Sequence, residues 1–227
     1  MNVCRLNFLV EGQTDETFIR DMLIPHLVTL GVFGYVRRLE TRRTGSAVYR
    51  GGVSTYAKLE GDIRRWLRED SGAYLTTMVD LYRLPKDFPG MGNVSLSDPY
   101  SAVRTLEREW GNQVGEARFI PYIQIYEFEA LLFSDVGVLD HLLYPVCGKS
   151  LKRNLQKILE MAQGNPEQID DREPPSKRLK ALCPAFRKTL DGIRIVQRIG
   201  LEGIRKQCRH FHEWLLRLET LPSGGIP

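Results

Sequence analysis

At 227 residues with 42% hydrophobic side chains, the chain can bury the core of one domain or of a domain with an appendage. No run approaches the roughly 20 apolar residues a membrane span needs, and Met1-Asn2-Val3-Cys4-Arg5 passes straight into a strand pattern without a signal peptide, so the expected compartment is cytoplasmic. The formal charge of +4 permits nucleic-acid binding without demanding it.

The first predicted element is a strand, Phe8-Leu9-Val10, that runs into Glu11 and Gly12. Thr14 is the expected cap of the helix that follows. Asp15 and Glu16 suit its electropositive first turn, Phe18, Met22, Leu23 and Leu27 recur at helical spacing, and Pro25 should bend it. A second strand falls around Tyr35 to Arg43, then a Gly/Ser-rich loop from Thr44 to Ser54. A helix from about Thr55 to Glu69 follows, with Leu59, Ile63, Trp66 and Leu67 on one face. The third strand covers 73–82 and contains Tyr74-Leu75-Thr76-Thr77-Met78-Val79, ending in Asp80. Its almost continuous apolar run, like that of the first strand, is the pattern of a central parallel strand buried on both faces. The stretch from Arg83 to Pro99 is polar and rich in Pro and Gly, and a loop of that length after Asp80 reads as functional or mobile. A helix near Pro99 to Gly111 and a fourth strand from Arg118 to Glu127 close this part. Beyond Phe128 helices dominate to residue 219, interrupted by a charged linker from Gly164 to Pro175 and ending in a frayed tail from Leu221.

The alternation predicts an α/β core over 1–130, a mostly parallel four-stranded sheet flanked by helices, with a helical extension over 131–227 packed on it as one structural unit. Glu11 and Asp80 then stand at carboxyl ends of strands, where open α/β sheets bind ligands. Two carboxylates there suit Mg²⁺ or Mn²⁺, hard cations that take oxygen ligands and bridge to phosphate. A helix cap or an arginine partner is the plainer role for each. Glu127 and Glu129 are the candidates to complete the site, because i, i+2 spacing in extended chain puts both on one face. A helix that begins by Glu127 makes them diverge so that only one can face the crevice, and the plainer role of both is to cap the helix from Ala130 to Phe133. Asp87 and Asp135 read as turn or cap residues.

Ser176-Lys177-Arg178 follows Pro174-Pro175 at an apparent helix start, where backbone NH groups and two cations could hold a phosphate. A solvated helix start explains it equally well. Arg37, Arg38, Arg42, Arg43 and Arg50 form a second basic cluster, and Arg205, Lys206, Arg209 and His210 a third on the last helix. The histidines make no ligand pattern, so zinc is not expected. The four cysteines, 4, 147, 183 and 208, lack a CxxC pair and read as free thiols. No GxxxxGK[ST] occurs, so any ATP hydrolysis belongs to a partner.

A strand ending in Glu-Gly, a helix, a strand, a helix and a strand ending in Asp resembles the Toprim core of topoisomerases, primases and OLD-family nucleases. Five segments together resemble the domain-of-unknown-function 4276 family: Val10-Glu11-Gly12-Gln13-Thr14-Asp15-Glu16; Met78-Val79-Asp80-Leu81-Tyr82-Arg83-Leu84-Pro85 with Phe88-Pro89-Gly90; Tyr126-Glu127-Phe128-Glu129-Ala130-Leu131-Leu132-Phe133; Pro175-Ser176-Lys177-Arg178-Leu179; and Gly200-Leu201-Glu202-Gly203-Ile204-Arg205. The resemblance implies a Toprim-like, Rossmann-like fold, a Mg²⁺-dependent nuclease site acting on DNA or RNA, and pairing with an ABC-type ATPase in bacterial defence. Where many Toprim domains carry Asp-x-Asp, this chain has Asp80-Leu81-Tyr82, and a phenol is a poor Mg²⁺ ligand at neutral pH. The leading expectation is phosphodiester hydrolysis with Glu11, Asp80, Glu127 and Glu129 as metal ligands and catalytic groups, and Ser176, Lys177, Arg178 and Arg205 on phosphate. The alternatives are a catalytically degenerate module that docks on an ATPase, and phosphoryl or nucleotidyl transfer to a small nucleotide.

Overall fold

A computed structural model describes residues 4–39, 55–169 and 173–221. The chain forms two units, one built from residues up to Ile123 together with the segment that starts at Glu219, the other from Gln124–Leu218.

The first unit holds a mostly parallel sheet. Strand β1 (Cys4–Val10) leads through α1 (Gln13–Phe18), a π-helical turn at Ile19–Leu23 and α2 (Ile24–Val28) to β2 (Val32–Arg38). Then come α3 (Tyr56–Glu69), β3 (Tyr74–Asp80), α4 (Pro99–Val114) and β4 (Phe119–Ile120). The strand order is β2-β1-β3-β4, every pair on that path parallel, and the two-residue β5 (Ile123–Gln124), in which the boundary between the units falls, pairs β3. The chain thus steps from β1 to one side and returns to the other, which makes the gap between the carboxyl ends of β1 and β3 the switch point of the sheet.

Burial follows the apolar runs. In β3 every residue from Leu75 to Asp80 is buried. Its two threonine hydroxyls donate to carbonyls of the neighbouring chain, Thr76 Oγ1 to Ile120 O at 2.7 Å and Thr77 Oγ1 to Tyr122 O at 3.1 Å, so burial leaves neither unsatisfied. On α3 the stripe Leu59, Ile63, Trp66 and Leu67 is buried as its spacing predicts. The long loop after Asp80 is packed rather than loose. Phe88 is buried between Tyr56 and Trp110, with ring centroids 5.6 and 5.0 Å away, and Asp87 accepts the Tyr56 amide at the start of α3.

Local chemistry changes three expectations. The first helix is capped by Gly12, not Thr14: Asp15 Oδ2 accepts the Gly12 amide at 2.9 Å, and Thr14 is buried. Pro25 lies late in a run that stays right-handed helical from Gln13 to Val28, and the turn just before it, Ile19–Leu23, is π-helical, an irregularity of the kind that accompanies a residue without an N–H. The fourth strand is broken into β4 and β5 by Pro121, which cannot donate to a ladder. The Thr77 hydroxyl takes up the slack by accepting the Tyr122 amide at 3.0 Å. The second strand ends at Arg38; the expected Gly/Ser loop and Arg42, Arg43 and Arg50 lie outside the described residues.

The second unit is helical: a 3₁₀ helix at Phe128–Ser134, α5 (Val136–Cys147), α6 (Lys152–Met161), α7 (Pro175–Leu182), α8 (Ile193–Gln207) and α9 (Arg209–Glu219), which leads out of it. Phe128, Leu131, Leu132, Phe133, Phe186, Phe211 and Leu215 form its core. The charged linker contains a 3₁₀ turn at Pro166–Gln168, and its buried Glu167 accepts the His210 and Phe211 amides at 2.9 and 3.0 Å, capping α9. Cys147 and Cys183 are joined in a disulfide with Cα atoms 5.4 Å apart. The free-thiol reading therefore holds only for Cys4 and Cys208. Among the described residues no single helix is long and apolar enough to cross a membrane.

Candidate functional site

In the first unit, the parallel register of β1 and β3 pairs Val10 with Met78, so Glu11 follows that last pair by one residue and Asp80 by two, and both lie at the switch point. The ladder extends one step further, with the Glu11 amide donating to Met78 O at 3.3 Å. Glu11 Oε2 accepts the Asp80 amide at 3.4 Å. A third side chain joins them. Arg83 Nη1 lies 3.1 Å from Glu11 Oε1, and Arg83 Nε lies 4.0 Å from Asp80 Oδ2. The guanidinium in turn donates from Nε to Tyr82 Oη at 2.7 Å, with Cζ 5.2 Å from the centre of the Tyr82 ring. Tyr82 thus supports the arginine rather than adding an acidic ligand. Burial alone lowers the Arg83 pKa, but the Tyr82 hydrogen bond and the charges of Glu11 and Asp80 outweigh it, and the net shift is upward. Beside the pair, Glu11, Gly12, Gln13, Arg38 and Leu39 line a cavity of about 340 Å³, and Arg38 is paired with Glu16 at 3.1 Å.

The second unit contains the other two predicted carboxylates, both buried. Tyr126 has φ 60°, a left-handed backbone costing on the order of 1–3 kcal/mol for a bulky residue, and it redirects the chain into the 3₁₀ helix. Since that helix begins at Phe128, Glu127 and Glu129 meet different partners. Glu127 takes the start of α7: the Ser176 amide and hydroxyl donate to its Oε1 and Oε2 at 2.5 and 3.0 Å. Glu129 Oε2 pairs with Lys188 Nζ at 2.9 Å, while its Oε1 lies buried without a hydrogen-bond partner among the described residues. Burial pushes the Glu129 carboxyl up to about 7, the Lys188 charge opposes this, and the Glu127 charge adds to it.

The anion at the start of α7 is therefore the chain's own carboxylate. Lys177 is exposed, Arg178 donates to Glu173 O at 2.5 Å, and Arg205 donates to His212 Nδ1 at 3.0 Å and pairs with Glu202 at 3.3 Å. Arg83 and Lys188 were not singled out from the sequence. Arg83 carried a usable signal, because i and i+3 eclipse in a 3₁₀ turn and Leu81–Arg83 is one. Lys188, 59 positions from Glu129, carried none. Among the described residues no group of three or more His, Cys, Asp or Glu side chains is arranged to hold a metal.

A family model described as "Domain of unknown function (DUF4276)" matches residues 10–219. Two solved structures of the C-terminal region of the Xanthomonas campestris pv. campestris OLD protein resemble the chain. The one phased with iodine has 13% identity and a TM-score of 0.46, over 99% of this chain and 100% of that one. The one phased with mercury has 14% identity and a TM-score of 0.40, over 95% and 98%. No curated protein matches the sequence.

Proposed function

The chain belongs to the DUF4276 family, and from that premise we propose that it is a Toprim-like, divalent-metal-dependent phosphodiesterase acting on nucleic acid. One observation carries the reading: Glu11 and Asp80 leave neighbouring parallel strands side by side at the switch point of the sheet. The donor chemistry fits Mg²⁺ or Mn²⁺. Two carboxylates are few for a protein-only cage, but Mg²⁺ keeps much of its water and is commonly bound by one or two carboxylates plus substrate phosphate. Glu11 and Asp80 would hold such an ion, which when bound supplies polarisation of the phosphoryl oxygen and activation of a water.

The chain's own groups supply the rest. Asp80 ends β3 and Glu11 directly follows β1, tied by its amide to Met78 O, so their positions change little when the ligand arrives. Arg83 offers a forked donor matched to a phosphodiester. In the second unit, Glu129 at about 7 can give or take a proton at neutral pH, and Glu127 completes the set of acidic residues assigned to the reaction. Lys177, Arg178, Ser176 and Arg205 are proposed for backbone phosphate, giving binding that weakens with salt. An ABC-type ATPase partner, a defence role and a cytoplasmic setting complete the proposal.

A second reading, a catalytically degenerate module that docks on an ATPase, is favoured by the arginine already between the two acids. Cleavage separates the two. The full chain with labelled DNA and RNA, single- and double-stranded, should give products in Mg²⁺ and none in EDTA, and Asp80→Asn should lower the rate at least about 100-fold. Products that persist in Asp80→Asn would assign the activity to a contaminant. No products with any substrate would favour the docking module.

A further inference from the structure

The Glu11–Asp80 pair carries its own cation. Both carboxylate side chains are only 8% exposed, and two like charges so placed repel unless a positive charge offsets them. That charge comes from Arg83, whose side chain is 33% exposed and sits on the short turn Leu81–Arg83 rather than on a strand. Its two contacts are unequal. Nη1 reaches Glu11 Oε1 at hydrogen-bond distance, 3.1 Å, whereas Nε is 4.0 Å from Asp80 Oδ2 and gives its hydrogen bond to Tyr82 Oη at 2.7 Å. The guanidinium therefore spans the acids from one side, held by a phenol that is itself partly exposed.

Resting on the metal reading above, we propose that Arg83 is an internal counter-cation: it offsets part of the charge of Glu11 and Asp80 until a divalent ion takes them over, and it then turns to the phosphodiester. The two carboxylates carry two negative charges and the guanidinium offsets one of them, so an ion with two charges can displace it. Tyr82 acquires a role in this account. Its hydroxyl accepts from Arg83 Nε at 2.7 Å, so it anchors the arginine that competes with the metal.

The test is Mn²⁺ binding to the full chain, read by electron paramagnetic resonance, with thermal unfolding in EDTA and in Mn²⁺. Arg83→Met should bind Mn²⁺ about tenfold tighter than the parent, roughly 1.4 kcal/mol. It should also unfold at a lower temperature in EDTA and gain more from added Mn²⁺. Arg83→Lys keeps the charge and loses the fork, so it should tighten binding by a smaller factor even if the methionine variant fails to fold. If both variants bind Mn²⁺ as the parent does while Asp80→Asn does not bind, the counter-cation role is overturned and the metal reading stands. If neither the parent nor any variant binds Mn²⁺, both are overturned.

Discussion

Replacing Glu129 by Gln should make the protein more stable at alkaline pH while leaving it nearly unchanged at acid pH. The side chain is fully buried, and its carboxyl is raised from 4.5 to about 7 by burial and by the Glu127 charge, against the pull of Lys188. Between those values the folded chain holds a proton that the unfolded chain has released. Stability then falls as pH rises through the window: the contribution is fully present below about 4.5 and lost above about 7. At roughly 1.36 kcal/mol per pH unit, the window is worth about 3 kcal/mol. Glutamine resembles the protonated acid in size and carries no charge. The difference in unfolding free energy, Glu129→Gln minus parent, should therefore become more favourable by about 3 kcal/mol between pH 4.5 and 8. The loss of the Lys188 partner subtracts little, because that ammonium is 35% exposed and water can replace the carboxylate. Urea unfolding at half-unit steps of pH measures the difference. A value constant across the range would refute the assignment of the proton to Glu129.

Three further outcomes follow from the geometry. Cys147→Ser or Cys183→Ser should lower stability by about 4 kcal/mol, the loop-closure value for a separation of 36 residues, and dithiothreitol should do the same to the parent; a parent indifferent to reductant in urea unfolding would remove the crosslink from the account. Glu127→Ala leaves the Ser176 amide and hydroxyl without their acceptor and should cost about 1–3 kcal/mol, measured by thermal unfolding, whereas Glu127→Gln should cost less. Lys177→Ala with Arg178→Ala should weaken nucleic-acid binding across sequences and reduce the magnitude of the salt slope by nearly one per lost phosphate contact; an unchanged slope in filter binding would return this segment to a solvated helix start.

Strands β1 and β3 were legible from the apolar runs Phe8-Leu9-Val10 and Tyr74 to Val79, although β1 extends back through Arg5 and Asn7 to Cys4, and a single carboxylate after such a run stands out. The placement of Glu11 beside Asp80 follows from that pattern plus parallel pairing. The stripe on α3 was legible by its period. The break of the fourth strand was readable in hindsight from Pro121 alone, but the Tyr126-Glu127 segment looks as β-prone as a real strand. Its turn into a helix depends on a left-handed Tyr126 that no local propensity favours. Partners distant in sequence were not legible at all. Ser176 reaches Glu127 across 49 positions and Lys188 reaches Glu129 across 59, distances at which spacing holds no information. The same applies to Cys147 and Cys183, whose separation suggested no pairing, although the helix ends that carry them meet.

The central claim is that Glu11 and Asp80 form a divalent-cation site, and anomalous scattering from crystals soaked in Mn²⁺ tests it most directly. The account predicts one peak within about 2.1 Å of a carboxylate oxygen of each residue, with the Arg83 guanidinium moved out from between them. A soaked crystal with no peak at the switch point, and with Arg83 still bridging the two carboxylates, would contradict it.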